Sequence, residues 1–412
     1  MSARAAKITC RLCRARLDTP FLDLGMSPLA NALLPPEYAT KSEPFFPLAV
    51  YVCQACWLVQ LPKTVTPARI FRHYAYFSSY STTWLEHCRA YAERMVRERK
   101  LTRDSRVVEL ASNDGYLLRF FHDQSIPVLG IEPAANVAAV AQERGIDTRV
   151  TFFGARVAAG LVAEGVRADL IAANNVFAHV PDLNDFTAGI KTLLAPAGLA
   201  TLEFPHLLNL LGEVQFDTIY HEHYSYFSLI AAERAFAGHG LAVVDVEELP
   251  THGGSLRVHV AHAGAAEVSG RVDLLRDRER AAGLADLATY RAFGHAVEAI
   301  KRDLLALLID LKRQGKRIAG YGAAAKGATL LNYCGIRTDF LEFVADKSPH
   351  KQGHLMPGVH VPVVSPERLR AERPDIVVIL PWNLKREIMG ELADVAGWGG
   401  RFLVPIPRPE VV

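Results

Sequence analysis

From about residue 100 onward the chain alternates short apolar runs with amphipathic stretches, and no other feature restricts its fold as much. The runs RVVEL (106–110), PVLGIE (127–132), ADLIAAN (168–174), GLATLEF (198–204) and SLRVHVA (255–261) have the length and branched content of strands. Between them GYLLRFFHDQ, NVAAVAQERG and LNDFTAGIKTLL repeat apolar residues at the i, i+3, i+4 spacing of a helix. Strands joined through helices run mostly parallel, so this region reads as an α/β sheet. A charged, Leu- and Ala-rich stretch over roughly 268–314 closes at Gly315, a helix stop signal. The alternation then restarts with KRIAGYG, a helix near AAKGATLLNYCG, FLEFVAD, VHVPVV, DIVVIL and RFLVPIP. The expected fold is therefore α/β, with two nucleotide-type units joined by helix.

The first 66 residues are different: rich in Pro and Cys, with short apolar runs and no useful helical period. They are expected to form a module of their own (1–66), followed by domains over 67–265 and 266–412. Four of the six cysteines form two Cys-x-x-Cys hooks, Cys10/Cys13 and Cys53/Cys56. Each hook places two sulfurs on one turn, and two hooks supply the four thiolates of a structural zinc ion, offsetting the small core of so short a module. A redox motif would sit between a strand and a helix of a βαβ unit, which these do not. A nucleic-acid zinc ribbon is the stronger rival, but the flanking residues are apolar rather than basic. The net charge of +2 and the lack of a Lys/Arg stripe argue against nucleic acid, and no run of about 18 apolar residues suggests a membrane span. The opening MSARAAKITC has no apolar signal core, so a soluble cytoplasmic protein, expected to be monomeric, is the reading.

The segment Glu109-Leu110-Ala111-Ser112-Asn113-Asp114-Gly115-Tyr116 ends a strand in an acid, turns on small residues and opens a helix. Such a turn lets backbone approach a ligand, and the helix N–H groups favour its polar atoms. With one glycine, Gly115, it departs from a dinucleotide fingerprint. Glu132, at the end of the next strand, is suited to accepting ribose hydroxyls, and Asn174 and Asn175 end a third strand at the same edge. ELASNDGYLL, GIEP and NNVFAHV together resemble class I methyltransferases, and within them the sugar C-methyltransferases of deoxysugar biosynthesis. The resemblance implies a central S-adenosylmethionine domain with a Rossmann-like fold. Glu109, Ser112, Asn113, Asp114 and Gly115 would surround the methionine part of that cofactor, with Glu132 on its ribose.

A second cluster, Tyr220-His221-Glu222-His223-Tyr224-Ser225-Tyr226, is too aromatic for a solvated loop and costly to bury without partners. As a metal site it is poor, because consecutive residues on a strand face opposite ways. Methylating a carbon beside a ketone needs a base with a proton affinity near neutrality, which favours histidine, and a donor for the developing enolate oxygen. The family resemblance assigns the base to His223, supported by Glu222 and Tyr220, with His179 facing the substrate. The run YAYFSSYS (74–81) also resembles the family and would bring a tyrosine to the site, Tyr74 first and Tyr76 as the alternative; a packing seam is the other reading.

In the C-terminal half, Gly320-Tyr321-Gly322-Ala323-Ala324-Ala325-Lys326-Gly327 is a glycine-rich turn at a helix start that could cradle a phosphate. Asp346 stands where an NAD-type domain would carry its ribose acid, so spacing alone leaves NAD open. The resemblance instead implies a second Rossmann-like domain binding the diphosphate nucleotide, typically thymidine diphosphate, of a 4-keto deoxysugar. Lys326, Asn332, Tyr333, His350 and Lys351 are its candidate contacts. The segment HGGSLR (252–257) matches the family too, or simply turns the chain. The expected reaction is methylation of carbon, at C3, with an O- or N-methyltransferase acting on a small metabolite as the alternative.

Overall fold

The computed structural model describes residues 8–71, 78–80 and 82–412. The chain forms two compact units, each built from separated segments: Met1–Leu17, Cys53–His206 and Tyr224–Ala285 in the first, and Asp18–Val52, Leu207–His223 and Asp286–Val412 in the second.

The first unit is organised by a seven-stranded sheet. Its strands in chain order are β1 (Val107–Leu110), β2 (Val128–Ile131), β3 (Thr148–Arg149), β4 (Ala168–Asn174), β5 (Leu194–Pro205), β6 (Leu241–Leu249) and β7 (Ser255–His262). Across the sheet they lie in the order β3-β2-β1-β4-β5-β7-β6. The first five are parallel to one another and β7 is antiparallel to both its neighbours. The order reverses between β1 and β4, which opens a crevice at the carboxyl ends of those strands. β1 and β2 are buried along their whole length, as expected of parallel strands covered on both faces.

The five strands read from the sequence are present. β6 was not foreseen: Asp245, Glu247 and Glu248 interrupt its apolar pattern, and at the sheet edge it needs to be apolar on one side only. A helix over Thr82–Arg99 was also missed, although Cys88, Tyr91, Ala92 and Met95 keep the i, i+3, i+4, i+7 stripe that packs it into the core beside Leu117 and Phe121.

The stretch 268–314 is two helices, Gly270–Ala281 and Leu287–Arg313, capped by Ser269 and Asp286 and separated at Gly283. The second belongs to the second unit and buries Tyr290, Phe293, Val297, Ile300, Leu304, Leu308 and Leu311 as one stripe. It packs on a hairpin of Leu22–Ser27 with Phe46–Val52, where the Phe21 ring lies 5.2 Å from that of Tyr290. Gly294 is required there, since a Cβ would stand 2.8 Å from the Phe21 carbonyl oxygen.

The sheet of the second unit has β8 (Ile318–Tyr321), β9 (Val344–Ala345), β10 (Val363–Val364), β11 (Ile376–Ile379), β12 (Arg401–Val404) and β13 (Glu410–Val411) in the order β10-β9-β8-β11-β12-β13. All neighbours are parallel except β12 and β13. The restarted alternation is thus a second Rossmann-like sheet. Among the described residues no helix is long and apolar enough to cross a membrane.

Candidate active site and metal centre

The two cysteine hooks fold alike. In each, the first cysteine's carbonyl accepts the N–H four residues on, from Arg14 (3.0 Å) or Trp57 (2.7 Å), and both of these residues adopt the left-handed conformation that tightens the turn. The four Sγ atoms lie within 4.8 Å of one another, with Cys10–Cys56 and Cys13–Cys53 at 3.5 Å. Four thiolates around a zinc ion at about 2.3 Å would stand about 3.8 Å apart, so the cage fits that metal and is closed. Gln60, which the sequence did not single out, donates Nε2–H to Cys10 Sγ (3.2 Å) and accepts the Arg11 N–H (2.9 Å). Within the cluster the hydrogen bond from Cys56 holds the Cys10 thiol down, while that bond and burial push Cys56 up and burial pushes Cys53 up, so without metal the cage favours one thiolate shared among its thiols. A bound zinc ion would take all four as thiolates and release their protons.

At the carboxyl edge of the first sheet, the turn after β1 carries Ala111, Asn113 and Gly115 with positive φ (57°, 49° and 76°). Glu132 fixes it: one carboxylate oxygen accepts the Asn113 N–H (2.9 Å) and the other the Ala134 N–H (2.8 Å). Ser78 and Ser79, from the YFSSYS run, join from outside. The Ser78 N–H donates to Asn113 Oδ1 (3.0 Å), and the Ser79 hydroxyl donates to Asp114 Oδ2, which also pairs with Arg144. Tyr74 and Tyr76 of the same run lie outside the described residues.

Among the described residues several buried polar atoms here lack partners: Ser112 Oγ, Asp114 Oδ1, and both side-chain polar atoms of Asn174. Burial pushes the Glu109 carboxyl well above its usual range and Glu132 and Asp114 push the same way, while the Tyr116 hydroxyl nearby offsets part of the shift. Buried polar groups left without partners are destabilising. An acceptor-rich crevice of this kind suits a ligand that brings hydroxyl and amino donors, as S-adenosylmethionine does. Asn175 follows with φ 54°, its N–H on the Glu203 carbonyl (2.7 Å). His179 ends the short helical turn Phe177–His179 beyond β4 and is half-buried.

In the second unit, the turn Tyr220–His223 is buried except for a half-exposed Tyr220. His223 Nδ1 lies 2.9 Å from the Thr218 carbonyl oxygen. A carbonyl can only accept, so Nδ1 carries the proton, and in the neutral ring the basic lone pair is on Nε2. The Tyr220 ring is 4.1 Å from that of His223. Burial pushes the Glu222 carboxyl up to about 7, partly offset by the Asn31 amide, which donates to Oε1 at 2.7 Å across 191 residues of sequence. His221 points elsewhere, its Nε2 donating to the Pro47 carbonyl (3.2 Å) with its ring edge-on to Phe46. The two histidines therefore have separate surroundings and do not form a metal pair.

The glycine-rich turn after β8 is held by Asp346, which accepts the Ala323 and Ser348 N–H groups (2.7 and 2.8 Å). Gly322, at φ 87°, sits where a Cβ would be 2.5 Å from Pro381. Lys351 reaches the same turn, with Nζ 2.9 Å from the Ala323 carbonyl and 3.4 Å from Asp346. His350 is exposed beside it. Lys326 donates to Asn383 (2.6 Å) and lies over the Trp382 ring, whose Nε1–H holds the buried Asp217 (2.7 Å). Asn332 spends its amide on the Ala328 and Pro357 carbonyls, and Tyr333 packs on Phe216 and Lys301.

The chain has relatives among known proteins. Residues 10–71 match the family model of a zinc binding domain, 83–246 that of a methyltransferase domain, and 250–407 that of a C-methyltransferase C-terminal domain. The C-methyltransferase NovU of Streptomyces niveus is 39% identical over 404 residues, covering 98% of this chain and 96% of its own. A solved S-adenosylmethionine-dependent methyltransferase from Anabaena variabilis aligns with a TM-score of 0.34 at 17% identity, over 42% of this chain and 84% of its own. Near-complete coverage at that identity to NovU, with three family models in register along the chain, places this protein in the C-methyltransferase family, as an S-adenosylmethionine-dependent methyltransferase with an N-terminal zinc-binding domain.

Proposed function

We propose that the enzyme methylates the carbon beside the ketone, C3, of a thymidine diphosphate-linked 4-keto deoxysugar, with His223 as the base. The observation that carries this reading is the bond from His223 Nδ1–H to Thr218, which fixes the tautomer with its lone pair on Nε2. Nε2 takes the proton from C3, and the C–H electrons form the C3–C4 double bond of an enolate with its charge on the ketone oxygen. Tyr220, beside the imidazole, is suited to donate to that oxygen. Bound at the β1 turn, S-adenosylmethionine supplies the electrophilic methyl group. Glu109, Ser112, Asn113, Asp114, Gly115, Glu132, Asn174 and Asn175 are the residues that would hold it. Glu222, close to half-ionised near neutrality, can pass protons next to His223. The turn after β8, with Lys351 beside it, would take the diphosphate, and His179 is a second candidate for contact with the sugar.

The test is incubation with a thymidine diphosphate 4-keto-6-deoxysugar in deuterated water, with and without S-adenosylmethionine. Methyl gain on carbon, with exchange of the C3 proton when the methyl donor is withheld, supports the proposal. A methyl group on oxygen or nitrogen overturns it. His223→Asn should abolish both exchange and transfer while S-adenosylhomocysteine still binds, whereas retained exchange would move the base elsewhere.

A further inference from the structure

The turn between β6 and β7 carries the HGGSLR segment. β7 runs antiparallel to β5, pairing Ser255 with Pro205, so this turn comes out at the carboxyl edge of the parallel strands, where the cofactor crevice lies. His252 there adopts φ 56°, a left-handed conformation that a non-glycine residue holds only when its surroundings enforce it. Asn175, at the end of β4, does the same with φ 54°. The two side chains meet, with Asn175 Nδ2 3.2 Å from His252 Nε2.

Both residues are tied to one buried acid. The backbone carbonyl of Glu203 accepts the Asn175 N–H at 2.7 Å, and its carboxylate accepts the hydroxyl of Thr251, next to His252, at 2.8 Å. Asn175, Glu203, Thr251 and His252 thus close a ring of contacts through main chain and side chain. Glu203 is itself immobilised: its other oxygen is 2.6 Å from the Arg257 guanidinium and 3.0 Å from His87 Nε2, and all of this carboxylate is buried. Arg257 lies over the Tyr91 ring at 4.5 Å, and the Trp84 ring packs on both His87 (5.0 Å) and His252 (5.4 Å). A buried ion pair is weak evidence for stability alone, and its best-attested use is to fix one arrangement among several.

We infer that His252 is a positioning residue for the cofactor crevice: it sets Asn175, and the Glu203–Arg257 pair anchors the turn that carries it. The inference rests on Asn174 and Asn175 contacting S-adenosylmethionine, and the experiment separates the two claims. S-Adenosylhomocysteine binding is measured by titration calorimetry on the full-length, zinc-loaded protein, for wild type, Asn175→Ala, His252→Ala, His252→Gln, Thr251→Val and the Asn175→Ala/His252→Ala double variant. His252→Ala should weaken binding by roughly tenfold, the effect of one lost hydrogen bond on a ligand-contacting residue. His252→Gln, which can still bond the Asn175 amide, should restore most of it. Thr251→Val should weaken binding in the same direction without touching His252. In the Asn175→Ala background, His252→Ala should add nothing further, because the two act through one contact. Wild-type affinity in His252→Ala, or an undiminished loss in the double variant, overturns the inference while leaving Asn175 as a contact. Wild-type affinity in Asn175→Ala overturns both.

Discussion

Replacing Glu222 by glutamine should make the protein more stable, and only above a definite pH. The carboxyl is fully buried and lifted to about 7 from an ordinary value of 4.5, burial being the main cause and the Asn31 hydrogen bond a partial offset. Between those values the folded protein keeps a proton that the unfolded chain has lost. Stability from this group is therefore complete below about pH 4.5 and is lost as pH rises through about 7. A tenfold change in proton affinity is about 1.4 kcal/mol, so the full loss is about 3 kcal/mol. Glutamine keeps the carbonyl oxygen that Asn31 needs and carries no titrating proton. For a domain of this size the difference amounts to roughly 6–12 °C in unfolding temperature. The assay is calorimetric unfolding of wild type and Glu222→Gln at pH 5 and pH 8 in matched salt. The gap between the two proteins should be small or reversed at pH 5 and should open in favour of the variant at pH 8. A gap that stays constant across that range would refute the reasoning, because it would mean that Glu222 ionises in the folded protein as it does in water.

Cys56→Ser should release zinc, taking metal content well below the one ion per chain expected of wild type protein purified without chelator, and lower the unfolding temperature of the first unit; retained stoichiometric metal would count against the four-thiolate cage. Arg257→Leu leaves the buried Glu203 carboxylate with only His87 and the Thr251 hydroxyl and should cost about 3–5 kcal/mol in urea unfolding. Gly130→Ala should weaken S-adenosylhomocysteine binding, since the new methyl group would meet Ser112 Oγ in the cofactor turn; calorimetry showing unchanged affinity would remove Ser112 from the contact set. Asn31→Ala should raise the Glu222 carboxyl further, seen as a shift of its titration in the proton-exchange rate.

Local features were readable and distant partnerships were not. The β1 turn shows in the sequence because strand, small residues and helix follow one another within a dozen positions, and the cysteine hooks show because a knuckle is four residues long. What holds those features comes from afar. Ser78 and Ser79 reach Asn113 and Asp114 over 35 residues, Asn31 reaches Glu222 over 191, and Arg257 reaches Glu203 over 54. A hydrogen bond between remote residues imposes no period on either segment, so only the fold reveals it. Lys326 illustrates the converse: a lysine in a glycine-rich helix start suggests a phosphate ligand, yet its ammonium is taken up by Asn383 and the Trp382 ring, neither of which lies near it in sequence.

The two Rossmann-like turns share one wiring and differ in charge, which bears on what each can hold. In both, an acid at the end of the neighbouring strand accepts an N–H of the turn and an N–H two residues beyond itself: Glu132 takes Asn113 and Ala134, Asp346 takes Ala323 and Ser348. The acid thus serves the backbone first, stiffening the turn. Among the described residues no cation forms an ion pair with Glu132, whereas Asp114 in the same turn pairs with Arg144 at 3.3 Å and burial pushes the Glu109 carboxyl towards its neutral form. Asp346 has Lys351 at 3.4 Å, and that ammonium also caps the Ala323 carbonyl at the turn itself. Coulomb energies at such separations are several kcal/mol at an effective dielectric of about 20, enough to set the sign of the preferred ligand. The first turn therefore offers acceptors to a hydroxyl-bearing ligand, and the second, with Lys351 on it, tolerates an anion. On the reading proposed above the second turn takes a nucleoside diphosphate, so Lys351→Glu, which reverses the charge only there, should weaken binding of thymidine diphosphate while leaving that of S-adenosylhomocysteine unchanged.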